Sequence, residues 1–311
     1  MGKIAFVFPG QGSQTVGMGK SVVEASEQAK DIFAKADERL GFSLSDIIFN
    51  GPQDTLTNTT YAQPALLTTS TAILQLLEEK GITADYVAGH SLGEYSALVA
   101  AKALSFEDAV YAVRKRGEYM EEAVPNGIGG MAAILGLDRE KLQEITNQVS
   151  AEGDSVQLAN LNCPGQIVIS GTAAGIEKAS ALAKENGAKR AIPLQVSGPF
   201  HSTLMEPAAQ KFQSVLDEID INDANIPVVA NVLAAPIEKA ADIKVKLIEQ
   251  LYSPVLWEDS VVALIELGVD TFIEIGPGKV LAGLIRKIDR NVKTFSVQDV
   301  ESFQATLEEL Q

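Results

Sequence analysis

The stretch that most constrains the fold is Gly89-His90-Ser91-Leu92-Gly93. It lies between an apolar run, Asp85-Tyr86-Val87-Ala88, and a helix-forming run, Glu94 to Ala101. Together they read as a buried strand, a glycine-bracketed turn and a helix, with a serine at the apex. A G-x-S-x-G elbow turns so sharply that its flanks must lack bulky side chains, and it leaves the serine hydroxyl at a helix N-terminus, where an activated nucleophile is useful. Such a turn belongs to a sheet whose strands feed helices, so an α/β fold is expected.

The chain has 311 residues, 46% of them hydrophobic, enough to bury a substantial core in one large domain or two ordinary ones. The opening apolar run Ile4-Ala5-Phe6-Val7-Phe8 ends at Pro9, too short for a signal-peptide core or a membrane span, so a cytoplasmic protein is expected. A net charge of −16, from 25 basic and 41 acidic side chains, opposes general attraction to nucleic acid or anionic membranes. The single cysteine, Cys163, cannot form an internal disulfide, and no clustered thiols or histidines suggest a metal. The Pro9-Gly10-Gln11-Gly12-Ser13-Gln14 loop lacks both a following Gly-Lys-Ser/Thr and the G-x-G-x-x-G spacing, which argues against a nucleotide cofactor.

Along the chain, a strand at Lys3 to Phe8 is followed by helical patterns from Ser21 to Leu40 and from Ala62 to Lys80. After the elbow helix, Ser105-Phe106-Glu107-Asp108 resembles a capping box opening a helix that carries Arg114, Lys115 and Arg116 late, before Gly117. From Gly129 the order becomes strand, helix, two strands around Cys163-Pro164-Gly165, helix and strand, the β-α-β-β-α-β order of a ferredoxin-like unit. Both ends of such a unit return to one side of its sheet, so it can be inserted into a larger domain, with Val124-Pro125-Asn126-Gly127 and Ser197-Gly198-Pro199 as hinges. The expected organisation is a large α/β-hydrolase-like domain with a mostly parallel sheet, residues 1–125 and 198–311, plus a small ferredoxin-like subdomain at 126–197.

Ser91 needs a base, and only His90 and His201 exist. At a sharp elbow adjacent side chains point apart, which leaves His201, in the loop Ser197-Gly198-Pro199-Phe200-His201-Ser202 at the return from the inserted unit. No acidic motif stands between Ser91 and His201, unlike the serine, acid, histidine order of α/β-hydrolases, so a carbonyl or amide is expected to orient the imidazole. The Leu92 and Gln11 N–H groups fit the two donors of an oxyanion hole.

Seven ordered motifs then resemble one family. They are Phe8-Pro9-Gly10-Gln11-Gly12, Gly89-His90-Ser91-Leu92-Gly93-Glu94, Arg114-Lys115-Arg116-Gly117, Asn160 to Gln166, Gly198-Pro199-Phe200-His201-Ser202, Gln250 to Trp257, and Glu274-Ile275-Gly276-Pro277-Gly278. The family is that of the malonyl-CoA:acyl carrier protein transacylases of bacterial type II fatty acid synthesis. The resemblance implies Ser91 as nucleophile, His201 as base, Gln250 as the residue whose backbone carbonyl orients it, and the Gln11 and Leu92 amides as oxyanion hole. It also implies Arg116 as the clamp on a free malonyl carboxylate and Asn162 as a residue of the substrate pocket. Malonyl-CoA and a holo acyl carrier protein would be the partners of a monomeric enzyme with no cofactor and no metal, in fatty acid biosynthesis. Two rivals share parts of the pattern. A serine hydrolase would hand the acyl group to water, and a carrier-docking module would use Lys189-Arg190 or Arg286-Lys287 and leave Ser91 unreactive.

Overall fold

The structure, a computed structural model, describes residues 2–125 and 127–310. The expected boundary residue Asn126 and the chain ends Met1 and Gln311 lie outside the described residues. In chain order the strands are β1 (Lys3–Phe8), β2 (Tyr86–Gly89), β3 (Gly129–Leu135), β4 (Val156–Cys163), β5 (Gln166–Thr172), β6 (Arg190–Pro193), β7 (Val228–Ala230), β8 (Ala235–Ile237), β9 (Val269–Ile275) and β10 (Lys293–Val297). Six form one sheet in the order β10-β9-β1-β2-β7-β8 and four form a second in the order β4-β5-β3-β6.

In the large sheet every pairing is parallel except β7 with β8. Its inner strands are apolar on both faces; Ala5 and Val7 of β1 belong to one core cluster and Phe6 and Phe8 to the other. That is how a parallel sheet covered by helices on both sides reads in sequence. The short antiparallel β8 follows β7 directly and was not anticipated, because Ala235-Pro236-Ile237 carries no strand-length alternation. The second sheet is fully antiparallel, and its order is that of a ferredoxin-like unit, with helices Arg139–Ala151 and Ala173–Glu185 contributing to a separate core.

Three helical readings are corrected. The segment expected as one helix from Ser21 to Leu40 is two, Lys20–Ala25 and Glu27–Leu40, because Ser26 adopts an extended conformation and its side chain accepts a hydrogen bond from the Ala29 N–H to cap the second. The next helix begins at Thr59, earlier than expected, and runs to Glu79 through Pro64. Pro64 has no N–H to offer the Thr60 carbonyl, and Arg114 Nη1 supplies the donor instead at 2.8 Å. The capped helix Phe106–Ala123 continues past Gly117, so the Arg114-Lys115-Arg116 trio lies mid-helix and not at a dipole-favoured end.

The two sheets are laced together. Leu161 N–H donates to the Val255 carbonyl at 2.9 Å and Val255 N–H to the Ala159 carbonyl at 2.8 Å, so β4 of the small sheet pairs in parallel, at Asn160, with Val255 of the large unit.

Candidate active site

β2 delivers the chain to the elbow. Ser91 has φ 52, a left-handed conformation that side chains with a Cβ adopt at a cost and that the surrounding packing must hold. The bracketing glycines are what make the turn passable. A Cβ on Gly89 would sit 1.9 Å from the Gly93 carbonyl carbon, and one on Gly93 would sit 2.0 Å from the Phe8 oxygen of β1. Ser91 therefore stands at the start of the fully buried elbow helix, Gly93–Ala100, and lines a cavity of about 390 Å³ between the two sheets.

His201, also left-handed at φ 57, comes from the loop that returns from the small unit. Its Nε2 is 2.7 Å from Ser91 Oγ and its Nδ1 is 2.8 Å from the backbone carbonyl oxygen of Gln250. A carbonyl can only accept, so Nδ1 carries the proton and Nε2 presents its lone pair to the serine hydroxyl. Burial, and next the positive charge of Arg116, push the His201 pKa down to about 3, which keeps the ring neutral at ordinary pH with the Nε2 lone pair free to accept. His90 turns elsewhere, its Nε2 2.8 Å from Asn162 Oδ1 and its ring beside Trp257.

Arg116 is 1% exposed. Nη1 donates to Gln63 Oε1 at 2.7 Å, and Nη2 donates to Gln250 Oε1 at 3.0 Å and to Ser91 Oγ at 3.2 Å, while buried Nε has no partner among the described residues. A cation is thus delivered to the Ser91 hydroxyl without a direct carboxylate. Arg114 and Lys115 leave the site: both pair with Glu118 at 2.8 Å, and Arg114 stacks on Tyr61.

Gln11 and Leu92 both line the cavity, and no described residue accepts a hydrogen bond from either backbone N–H. The Gln11 side chain is held aside by Thr59 Oγ1 at 2.9 Å. Asn162 meets the cavity only through His90; the asparagine of β4 that lines it is Asn160.

The profile of the acyl transferase domain family matches residues 5–304. The malonyl CoA-acyl carrier protein transacylase of Bacillus subtilis is 64% identical over 310 residues, covering 100% of this chain and 98% of that protein. The crystal structure of malonyl CoA-acyl carrier protein transacylase from Clostridium perfringens superposes with a TM-score of 0.96 at 44% identity, over 99% of this chain and 97% of that one. A malonyl-transacylase solved in complex with a type II PKS acyl-carrier protein matches equally well, with a TM-score of 0.96, 43% identity and 99% of both chains covered. This chain belongs to the malonyl-CoA:acyl carrier protein transacylase family.

Within this transacylase fold the site contains three residues that sequence reasoning passed over. Gln63 fixes one face of Arg116 from the Thr59–Glu79 helix. Asn231 follows β7 at the carboxyl end of a parallel strand, where open α/β sheets build their sites; its Oδ1 accepts the Ser91 N–H at 2.7 Å and its Nδ2 donates to the Gly89 carbonyl at 2.7 Å. Glu94 is a buried acid in the elbow helix. The signal for it was present, since Gly-Glu-Tyr-Ser-Ala-Leu-Val-Ala carries a single charge in an otherwise uncharged run.

Proposed function

We propose that this acyltransferase moves a malonyl group from malonyl-CoA to the phosphopantetheine thiol of an acyl carrier protein through an ester on Ser91. The observation that carries the reading is the placement of Arg116, a buried guanidinium that lines the cavity with its Nη2 3.2 Å from Ser91 Oγ. Malonyl differs from acetyl by one carboxylate, and a planar guanidinium binds a carboxylate through paired charge-assisted hydrogen bonds.

In the first half-reaction His201 Nε2 takes the Ser91 proton as Oγ attacks the thioester carbonyl. The Gln11 and Leu92 N–H groups receive the oxyanion, and the departing CoA sulfur leaves as a thiol with the proton His201 took up. In the second, the carrier's thiol gives its proton to His201, its sulfur attacks the ester, and Ser91 Oγ recovers the proton as it leaves. The Gln250 carbonyl holds the imidazole in the tautomer both steps need. The catalytic unit is residues 1–125 and 198–311, and the 126–197 unit supplies the opposite wall through Met131, Asn160 and Leu194. Asn162 enters as the partner that orients His90 at the cavity wall. One chain supplies every residue named here, so a monomer suffices, and neither metal nor redox group takes part in the proposed steps. No helix among the described residues is long and apolar enough to cross a membrane, in keeping with an enzyme acting on CoA esters in the cytoplasm.

The test is acyl selectivity in Arg116→Ala. Removing the clamp should cost the malonyl reaction roughly 2–5 kcal/mol of transition-state binding, about thirtyfold to several thousandfold in kcat/KM, with acetyl-CoA spared. An equal loss for both donors in folded protein, or none for malonyl-CoA, removes Arg116 from this role.

A further inference from the structure

The elbow helix is buried along its whole length, yet its second residue is an acid. Glu94 is 2% exposed. An ionisable side chain there is expensive unless its bonds are needed, and a fold alone is served as well by an apolar residue of similar volume. The bonds of Glu94 converge on the reacting groups. Its Oε2 accepts from Gln250 Nε2 at 2.7 Å and from the Asn231 backbone N–H at 3.1 Å.

Each of those partners holds a reacting part. Gln250 Nε2 also donates to the Ser91 carbonyl at 3.1 Å, its Oε1 accepts from Arg116 Nη2 at 3.0 Å, and its backbone carbonyl accepts from His201 Nδ1 at 2.8 Å. The Asn231 side chain clamps the elbow through the Ser91 N–H and the Gly89 carbonyl, both at 2.7 Å. We propose that Glu94 is a positioning residue for acyl transfer: one carboxylate oxygen, acting through Gln250 and Asn231, holds Ser91, His201 and Arg116 in a single arrangement. The inference rests on the reading of Ser91 as nucleophile given above. Because Gln250 stands between them, the carboxylate balances the buried cation without touching it directly.

An ionised acceptor makes the stronger hydrogen bonds. Burial pushes the Glu94 pKa up to about 7. The ionisable groups that act on it are Arg116 from the Phe106–Ala123 helix and Tyr95 beside it, and the two imidazoles of the site, His90 and His201, lie beyond its hydrogen-bonded partners. Burial moves the Tyr95 hydroxyl up and both imidazoles down, and Arg116, though also pushed down, starts so high that it stays a cation. Glu94 is left as the group of this set that titrates near neutrality.

The experiment follows malonylation of the full chain by intact mass in single turnovers over a range of malonyl-CoA concentrations, with Glu94→Ala, Glu94→Gln and Ser91→Ala run beside the wild type and each checked by thermal melting. Glu94→Ala should lower the saturated rate roughly a hundredfold or more, as small misplacements of reacting groups do, and change the half-saturating concentration far less. Glu94→Gln keeps an accepting oxygen and should recover to within about tenfold of wild type. A folded Glu94→Ala within about threefold of wild type, or a folded Glu94→Gln as slow as Glu94→Ala, overturns the proposal. Should Glu94→Ala not fold, the pH dependence of Glu94→Gln decides: the wild-type saturated rate should fall as pH drops through the Glu94 ionisation and the variant should be flat, while a fall that persists in Glu94→Gln refutes the assignment. Ser91→Ala separates the two readings, because malonylation of that variant at the wild-type site would sink the nucleophile assignment whatever Glu94 does.

Discussion

Arg116 shows at the scale of one residue how chemistry selects a side chain. From one planar group its Nη1 and Nη2 reach three acceptors, Gln63 Oε1, Gln250 Oε1 and Ser91 Oγ, which an ammonium on a flexible stem cannot imitate. Arg116→Lys keeps the charge and should still lose about tenfold or more in malonyl kcat/KM, the value of one charge-assisted hydrogen bond, as initial-rate measurements can check. A lysine variant with wild-type kinetics would show that charge alone suffices. His201 carries a signature in stability. Its folded pKa of about 3 lies below the ordinary value of 6.5, so the unfolded chain binds the proton more readily. The stabilisation is complete above pH 6.5 and is lost as pH falls toward 3. Glu94 has the opposite sign: raised from 4.5 to about 7, it contributes fully below 4.5 and that contribution disappears as pH rises through 7. The Tm of wild type minus that of His201→Asn should therefore shrink as pH is lowered from 6.5, and parallel curves would mean that His201 does not sit neutral in the fold. Ser91 and His201 were legible because the chain has only two histidines and one elbow. Gln250 was not legible from its side chain, since the group that meets His201 is a backbone carbonyl, which any residue possesses; the family resemblance supplied it. Asn231 and Gln63 act through contacts that exist only after distant segments meet.

Among the elements, the elbow is set by close approach of backbones. Gly93 is hemmed in by main-chain atoms that cannot swing aside, so Gly93→Ala should cost about 1–3 kcal/mol in chemical denaturation and most of the malonylation activity. Retention of both would mean the turn tolerates a Cβ. The neighbouring arginines separate cleanly. Arg114 completes the helix that Pro64 interrupts, and Arg114→Ala leaves the Thr60 carbonyl short of a donor, so it should lose about 1–3 kcal/mol of stability with the malonyl-to-acetyl preference unchanged. A changed preference would place Arg114 in the site. Sequence periodicity located most strands and helices but misjudged the break at Ser26 and the end of the Phe106–Ala123 helix. The first depends on a single cap. The second arose from treating Gly117 as a stop, when here it lies inside a helix whose Cβ-free surface meets the Thr59 backbone.

At the scale of the molecule, the site exists because two sheets share one cavity. The parallel sheet presents Ser91 at the carboxyl end of β2, and the antiparallel unit closes the other side through β3, β4 and the segment after β6. The alternation of strands and helices made both architectures readable. The lacing of β4 to Val255 was not, because it uses main-chain groups that leave no mark in side-chain pattern. The resulting arrangement, a serine hydroxyl, a neutral imidazole and a guanidinium around one cavity, underlies the proposal that an anionic acyl group rests covalently on Ser91 between two thiols. Mass spectrometry tests it most directly: the protein is mixed with malonyl-CoA, freed of excess donor, and measured intact and as peptides before and after addition of a holo acyl carrier protein. One malonyl group should appear on the peptide containing Ser91 and then move to the carrier's phosphopantetheine. A malonyl group on another residue, or one that leaves only as free malonate while the carrier stays unmodified, contradicts the account.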